Sequence, residues 1–154
     1  MFDATVCTIG SIANASIRSA CDDYVKRMRP FARLRVVELQ STSFTSMSQV
    51  AAQRDEADSI IAFCEKQKDA TIILLHETGK SYTSVAFSKM IDQVARPLVF
   101  VLGGPLGFDS SILEQYPSHI TLSAFTFTHD IARLVLLEQL YRAGTIIAGK
   151  QYHY

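Results

Sequence analysis

The sequence has only three cysteines, Cys7, Cys21 and Cys64, widely spaced and with no CxxC pair or His-x3-His spacing beside them. That excludes a disulfide framework and a zinc site, and it fits a reducing, cytoplasmic compartment. There is no excess of charge of either sign. Fifteen basic and fifteen acidic residues leave a formal net charge of zero. The chain as a whole is no polycation, so binding to nucleic acid has to use a local patch or a surface built by two copies. The start, MFDATVCTIG, lacks the basic and long apolar regions of a signal peptide. The most apolar long stretch, residues 131–148, contains Arg133, Glu138 and Arg142 and is too short and too charged to span a bilayer. Internal repeats, low-complexity tracts and interdomain linkers are also missing.

What is present is a chain of 154 residues, 48% apolar and 19% charged. This composition excludes intrinsic disorder and collagen-like or coiled-coil structure. It predicts one domain over residues 1–154, large enough to bury roughly 68–70% of its unfolded surface. Residues 4–9 and 33–39 read as strands. A helix between them places Ile17, Cys21, Tyr24, Val25 and Met28 at helical spacing and ends at Pro30. Residues 41–48 form a hydroxyl-rich loop, followed by a helix over about 48–67. The runs 71–75 (TIILL) and 98–102 (LVFVL) are apolar throughout, as in strands covered on both faces. Residues 83–95 read as a crossover helix, 109–116 as a short helix, 119–122 as a short strand and about 129–148 as the last helix. This alternation predicts an α/β fold with a mostly parallel sheet and helices on both faces.

Open parallel sheets bind ligands at the carboxyl ends of their strands. Three such ends carry small or polar loops: His76-Glu77-Thr78-Gly79-Lys80, Gly103-Gly104-Pro105-Leu106-Gly107, and Ser123 through His129. The second permits close backbone approach to a ligand, though by itself it also fits a tight strand-to-helix turn. It is neither GxGxxG nor a Walker A loop. His129, at the start of the last helix, fits a capping residue or a catalytic one. Arg133 and Arg142 lie on an otherwise apolar helix, where each either snorkels its head group to water or pairs with an anionic group. Glu138 is a candidate partner for both, five residues after Arg133 and four before Arg142. Between residues 18 and 35, six basic residues face two acidic ones, either a solvated surface or a phosphate-contacting patch. The tail Gln151-Tyr152-His153-Tyr154 has three rings in four residues and suggests docking.

Taken together, the motifs form a recognisable set. Leu102-Gly-Gly-Pro-Leu-Gly-Phe108 is followed by Leu122-Ser-Ala-Phe-Thr-Phe-Thr-His129, Arg133, Leu137-Glu-Gln-Leu-Tyr-Arg-Ala143 and Tyr152-His153. In order and spacing this resembles the small SPOUT methyltransferases that act on N3 of a pseudouridine in 23S ribosomal RNA. Leu74-Leu75, Gly79-Lys80 and Ser84-x-x-Phe87 extend the match, which is strong over 72–153 and weak before residue 70. The resemblance implies a C-terminal trefoil knot, S-adenosylmethionine as cofactor and a homodimer in which one subunit's tail helps form the other's site. It also implies 23S ribosomal RNA or the assembled ribosome as partner, with no metal and no membrane. The cofactor-binding residues it implies are Leu75, Gly103, Gly104, Gly107, Leu122, Ser123, Ala124, Phe125, Thr126 and Phe127. The catalytic candidates are His129, Arg133, Arg142, Tyr152 and His153: Arg133 or Arg142 as electrostatic stabiliser, His153 or His129 as proton acceptor, with His153 ranked first as base or substrate clamp. The chain departs from the family at His76, usually an aspartate, in its Gln-Tyr-His-Tyr tail, and in the uncharged 41–48 loop. Two other readings are a non-catalytic, ribosome-associated dimer that keeps the fold and a flavodoxin-like nucleotide-binding domain. The Ser/Thr/Gly-rich phosphate loop that the latter needs is not found at residues 10–14.

Overall fold

The computed structural model describes residues 1–42 and 48–152. Most of the hydroxyl-rich loop expected at 41–48, and the tail residues His153 and Tyr154, lie outside the described residues. The elements run β1 (Phe2–Ile9), α1 (Ala15–Met28), β2 (Ala32–Leu39), α2 (Gln49–Glu65), β3 (Thr71–Ser81), α3 (Ser84–Gln93), β4 (Leu98–Leu102), α4 (Ser110–Gln115), β5 (His119–Thr121) and α5 (His129–Ile147). Every strand pairing is parallel, in the order β2-β1-β4-β3-β5. A flavodoxin-like sheet runs 2-1-3-4-5, so this order sets that reading aside.

The apolar runs sit where continuous hydrophobicity demands. All five residues of β4 are buried. Because side chains alternate across a strand, Leu98, Phe100 and Leu102 join one core with Val6, Phe87, Leu136, Leu137 and Leu140. Val99 and Val101 join the other, with Cys7, Ile9, Ala57, Ile60, Leu74 and Ile112. The first core lies under α1, α3 and α5, the second under α2 and α4. Leu136, Leu137 and Leu140 are completely buried, each contributing about 1.5–3 kcal/mol of burial that fastens α5 to the sheet. Helices α1 to α4 start on side-chain caps: Asn14 accepts from the Ser16 and Ile17 amides, Ser48 from Ala51, Thr83 from Ala86 and Asp109 from Ser111, whereas Thr128 at the start of α5 makes no such bond.

One element differs from its sequence expectation. The apolar run predicts a strand ending at residue 75, but β3 continues to Ser81. Leu75 and Lys80 both stand opposite Ile120 of β5, so residues 76–79 are looped out and the strand resumes beyond them. Gly79 makes this possible, since a Cβ there would lie 2.3 Å from the Ile120 carbonyl carbon. The polar letters HETGKS carry no strand period, so only the pairing with β5 reveals the extension.

Candidate functional site

The carboxyl ends of β3, β4 and β5 open onto one cleft of about 630 Å³. Its walls include all ten expected cofactor residues: Leu75 from β3; Gly103, Gly104 and Gly107 after β4; and Leu122 through Phe127 after β5. The volume is in the usual range of small-molecule sites, roughly 300–1,000 Å³.

Local chemistry shapes each wall. Gly107 has φ of +72° and its amide donates to the Gly104 carbonyl at 2.9 Å, closing a turn that a side chain would strain. The far side of that turn is tied to α2, where Gln53 Nε2 donates to the carbonyls of Leu106 and Phe108, both at 3.1 Å. The 122–127 segment folds on its own hydroxyls. Thr121 Oγ1 donates to the Ser123 carbonyl at 2.9 Å, and Ser123 Oγ accepts from the Phe125 amide at 3.0 Å. Phe125 is left 82% exposed at the mouth, a large ring with no partner in its own chain's core. His76, where the family pattern has an acid, also lines the cleft. Its Nδ1 lies 2.8 Å from Thr78 Oγ1, and its ring faces those of Phe108 and His119.

The catalytic candidates divide into two groups. His129 lines the cleft, and its Nε2 lies 3.0 Å from Asp130 Oδ1. Arg133 is one turn further on and its side chain is only 11% exposed. Its partner is not Glu138. Five residues along a helix is well off the same face, and Arg133 instead donates to Glu38 Oε1 of β2 at 2.6 Å. The pairing of Glu138 with Arg142 holds: Nη2 and Nε donate to Glu138 Oε1 at 2.5 and 3.1 Å. That bond is the main reason the Arg142 pKa is raised. Arg142 also stands 5.0 Å over the Tyr152 ring, which meets Tyr141 edge-on at 4.9 Å. At 1.5 Å rise per residue, Arg142 is about 20 Å beyond His129 along α5. A single chain therefore gathers the cofactor residues and His129 but keeps Arg142 and Tyr152 away from that cleft. His153 lies outside the described residues.

The basic segment is partly neutralised. Arg27 pairs with Asp23 at 2.7 Å and Arg33 with Asp3 at 3.4 Å, while Lys26, Arg29 and Arg35 are exposed. The cysteines are all buried, and burial pushes the Cys64 thiol up to about 11, which suits packing and not nucleophilic chemistry. Among the described residues, no three His, Cys, Asp or Glu side chains gather to hold a metal, and no helix is long and apolar enough to cross a membrane.

The sequence reading missed Gln53 and Glu56. They lie three apart on α2, on the face that meets the glycine loop, so the second polar residue shares the first one's direction. A helix whose buried side includes Glu56 among Ala52, Ala57 and Ile60 is the signal that was available.

Comparison with known proteins agrees with this geometry. The family model described as "Predicted SPOUT methyltransferase" matches residues 2–153. A ribosomal RNA large subunit methyltransferase H from Kosmotoga olearia is 34% identical over 149 residues, 94% of this chain and 95% of its own. One of the same name from Cytophaga hutchinsonii is 36% identical over 151 residues, covering 96% of each chain. Among solved structures, a candidate RNA methyltransferase from Bacillus anthracis shares the fold with a TM-score of 0.58 at 14% identity, over 98% of this chain and 99% of that one. With the family model matched over residues 2–153 and these relatives 34% and 36% identical over nearly the whole chain, the chain belongs to the SPOUT methyltransferase family.

Proposed function

We propose that this protein is a cytoplasmic homodimer that uses S-adenosylmethionine to methylate N3 of a pseudouridine in 23S ribosomal RNA. The observation that carries the reading is the convergence of three separate loops, ten expected cofactor residues in all, on one cleft. The substrate follows from the relatives named as ribosomal RNA large subunit methyltransferases. Their names favour an enzyme over a non-catalytic dimer. The C-terminal trefoil knot belongs to the same proposal, supported by the family match over residues 2–153.

The residues present suit the cofactor. Leu75, Leu102 and Leu122 offer apolar walls for a flat base, and two loops of small residues offer open backbone groups. When bound, the cofactor supplies a methyl group made electrophilic by its sulfonium. The protein's work is then positioning, proton removal and stabilisation of charge on the acceptor. The N3 imide of the acceptor base gives up a proton as nitrogen becomes the nucleophile. His129, on the cleft wall, is placed to take that proton. A guanidinium, Arg133 or Arg142, stabilises the imide anion as it develops.

The separation of Arg142 and Tyr152 from their own chain's cleft supports a site completed by the neighbouring subunit's tail. Ile131 and Val135 leave α5 partly exposed and apolar beyond its core stripe, which supports pairing along that helix. RNA contact falls to exposed basic residues such as Lys26, Arg29 and Arg35. The test is direct. Purified protein is incubated with S-adenosylmethionine and either free 23S RNA or ribosomes lacking the modification, and the digested RNA is examined by mass spectrometry. N3-methylpseudouridine in either substrate is the expected product. Its absence from both, with the cofactor shown to bind, overturns the substrate assignment. A monomeric mass by light scattering overturns the dimer.

A further inference from the structure

Behind the glycine loop sits a carboxyl group that the chemistry above does not use. Glu56, on α2, is 3% exposed. Its Oε1 accepts the Thr42 amide at 3.3 Å. Its Oε2 is buried and has no hydrogen-bond partner. A Cβ built on Gly104 would lie 2.8 Å from that oxygen, so the carboxyl abuts bare backbone at the cleft wall with no side chain between them.

An unpartnered buried carboxylate is costly, and a glutamine of the same shape keeps the Thr42 bond without the charge. The fold therefore has no need of a carboxylate here. Burial raises the Glu56 pKa and Asp55, its neighbour on α2, raises it further, while the Thr42 amide and His129 from α5 act in the opposite direction. Gly104, whose backbone adjoins the carboxyl, carries no charge. The acidic member of the cleft lining itself is Glu77, which is exposed to solvent and so well screened. A buried negative charge behind a ligand wall of bare backbone acts through low dielectric on whatever occupies the cleft.

We propose that Glu56 is a specificity-determining residue: its buried charge, acting through the bare backbone of Gly104, makes the cleft prefer S-adenosylmethionine, with its cationic sulfur, over S-adenosylhomocysteine, whose sulfur is neutral. This rests on the cofactor reading above. The preference helps turnover, because loss of the sulfonium charge removes an attraction and loosens the product.

Titration calorimetry of both ligands against the full-length wild type and Glu56→Gln tests it, with thermal unfolding confirming that the variant is folded. At pH 8 the wild type binds S-adenosylmethionine more tightly, and the variant loses about tenfold of that affinity while affinity for S-adenosylhomocysteine changes little. In the wild type, which needs no substitution, the preference shrinks as pH falls through the raised Glu56 pKa and its carboxyl becomes neutral. In Glu56→Gln that shrinkage is absent. Equal loss of both ligands, or no loss of either, overturns the charge role while leaving the cofactor reading intact. Failure of the wild type to bind either ligand overturns the cofactor reading and this inference with it.

Discussion

Adding one methyl group at Gly104 separates ligand contact from packing. From the sequence pattern, a side chain at this glycine is expected to meet the ligand and leave folding alone. The structure turns the new carbon the other way. In Gly104→Ala it would lie 2.8 Å from Glu56 Oε2 and 3.1 Å from Ile9 Cγ2, against about 3.4 Å or more for ordinary contact. Both neighbours are buried, Glu56 at 3% and Ile9 at 2% exposure, so neither swings away into solvent. Overpacking of this kind costs about 1–3 kcal/mol. For a chain of this size each kcal/mol lowers Tm by roughly 2–4 °C, so a loss of about 2–12 °C is expected by calorimetry or circular dichroism. Because the clash is with one carboxylate, truncating that side chain should relieve it. The double variant Gly104→Ala/Glu56→Ala is therefore less destabilised than the sum of the single variants, by about 1 kcal/mol. Simple additivity of the two, or a wild-type Tm for Gly104→Ala, would refute the packing argument and return Gly104 to a role in ligand contact alone.

Other consequences follow from the same contacts. Glu38→Ala leaves the largely buried Arg133 without its acceptor, and a loss of about 1–3 kcal/mol in urea unfolding is expected, less than for a fully buried pair because Glu38 is itself 36% exposed. Tyr152→Ala removes the edge-on contact with Tyr141, lowering Tm by about 2–4 °C, whereas Tyr152→Phe keeps the ring and stays near wild type. Gly79→Ala drives a carbon into the backbone of β5, and soluble, cooperatively folding protein is not expected from it; a wild-type melting curve would show that the crossing of β3 and β5 is wrong. Glu56 has a raised pKa, so the native state holds its proton more tightly than the unfolded chain. The wild type therefore loses stability as pH rises from the ordinary carboxylate range through the raised value. Glu56→Gln should lack that decline, and parallel stability curves for the two proteins would contradict it.

Much of the architecture was legible because the core strands are written in unbroken apolar runs. LVFVL and TIILL announce strands covered on both faces, and the helical spacing from Ile17 to Met28 announces α1. The location of the cleft was legible as well, because small and polar loops after β3, β4 and β5 are features of local composition. Three things lay beyond the sequence. The continuation of β3 past Leu75 depends on where β5 lies, since the polar Lys80 and Ser81 pair with it beyond the register shift. The partner of Arg133 is ninety-five residues away, on a strand that no helical spacing points to. The supporting role of Gln53 and Glu56 arises only when α2 packs behind a loop some fifty residues further on. Periodicity and composition report what a residue needs in its immediate neighbourhood, apolar cover or freedom of backbone. Which distant group meets that need is decided by the packing of elements, and for Arg133 and Glu56, charges held largely out of water, that choice sets their chemistry.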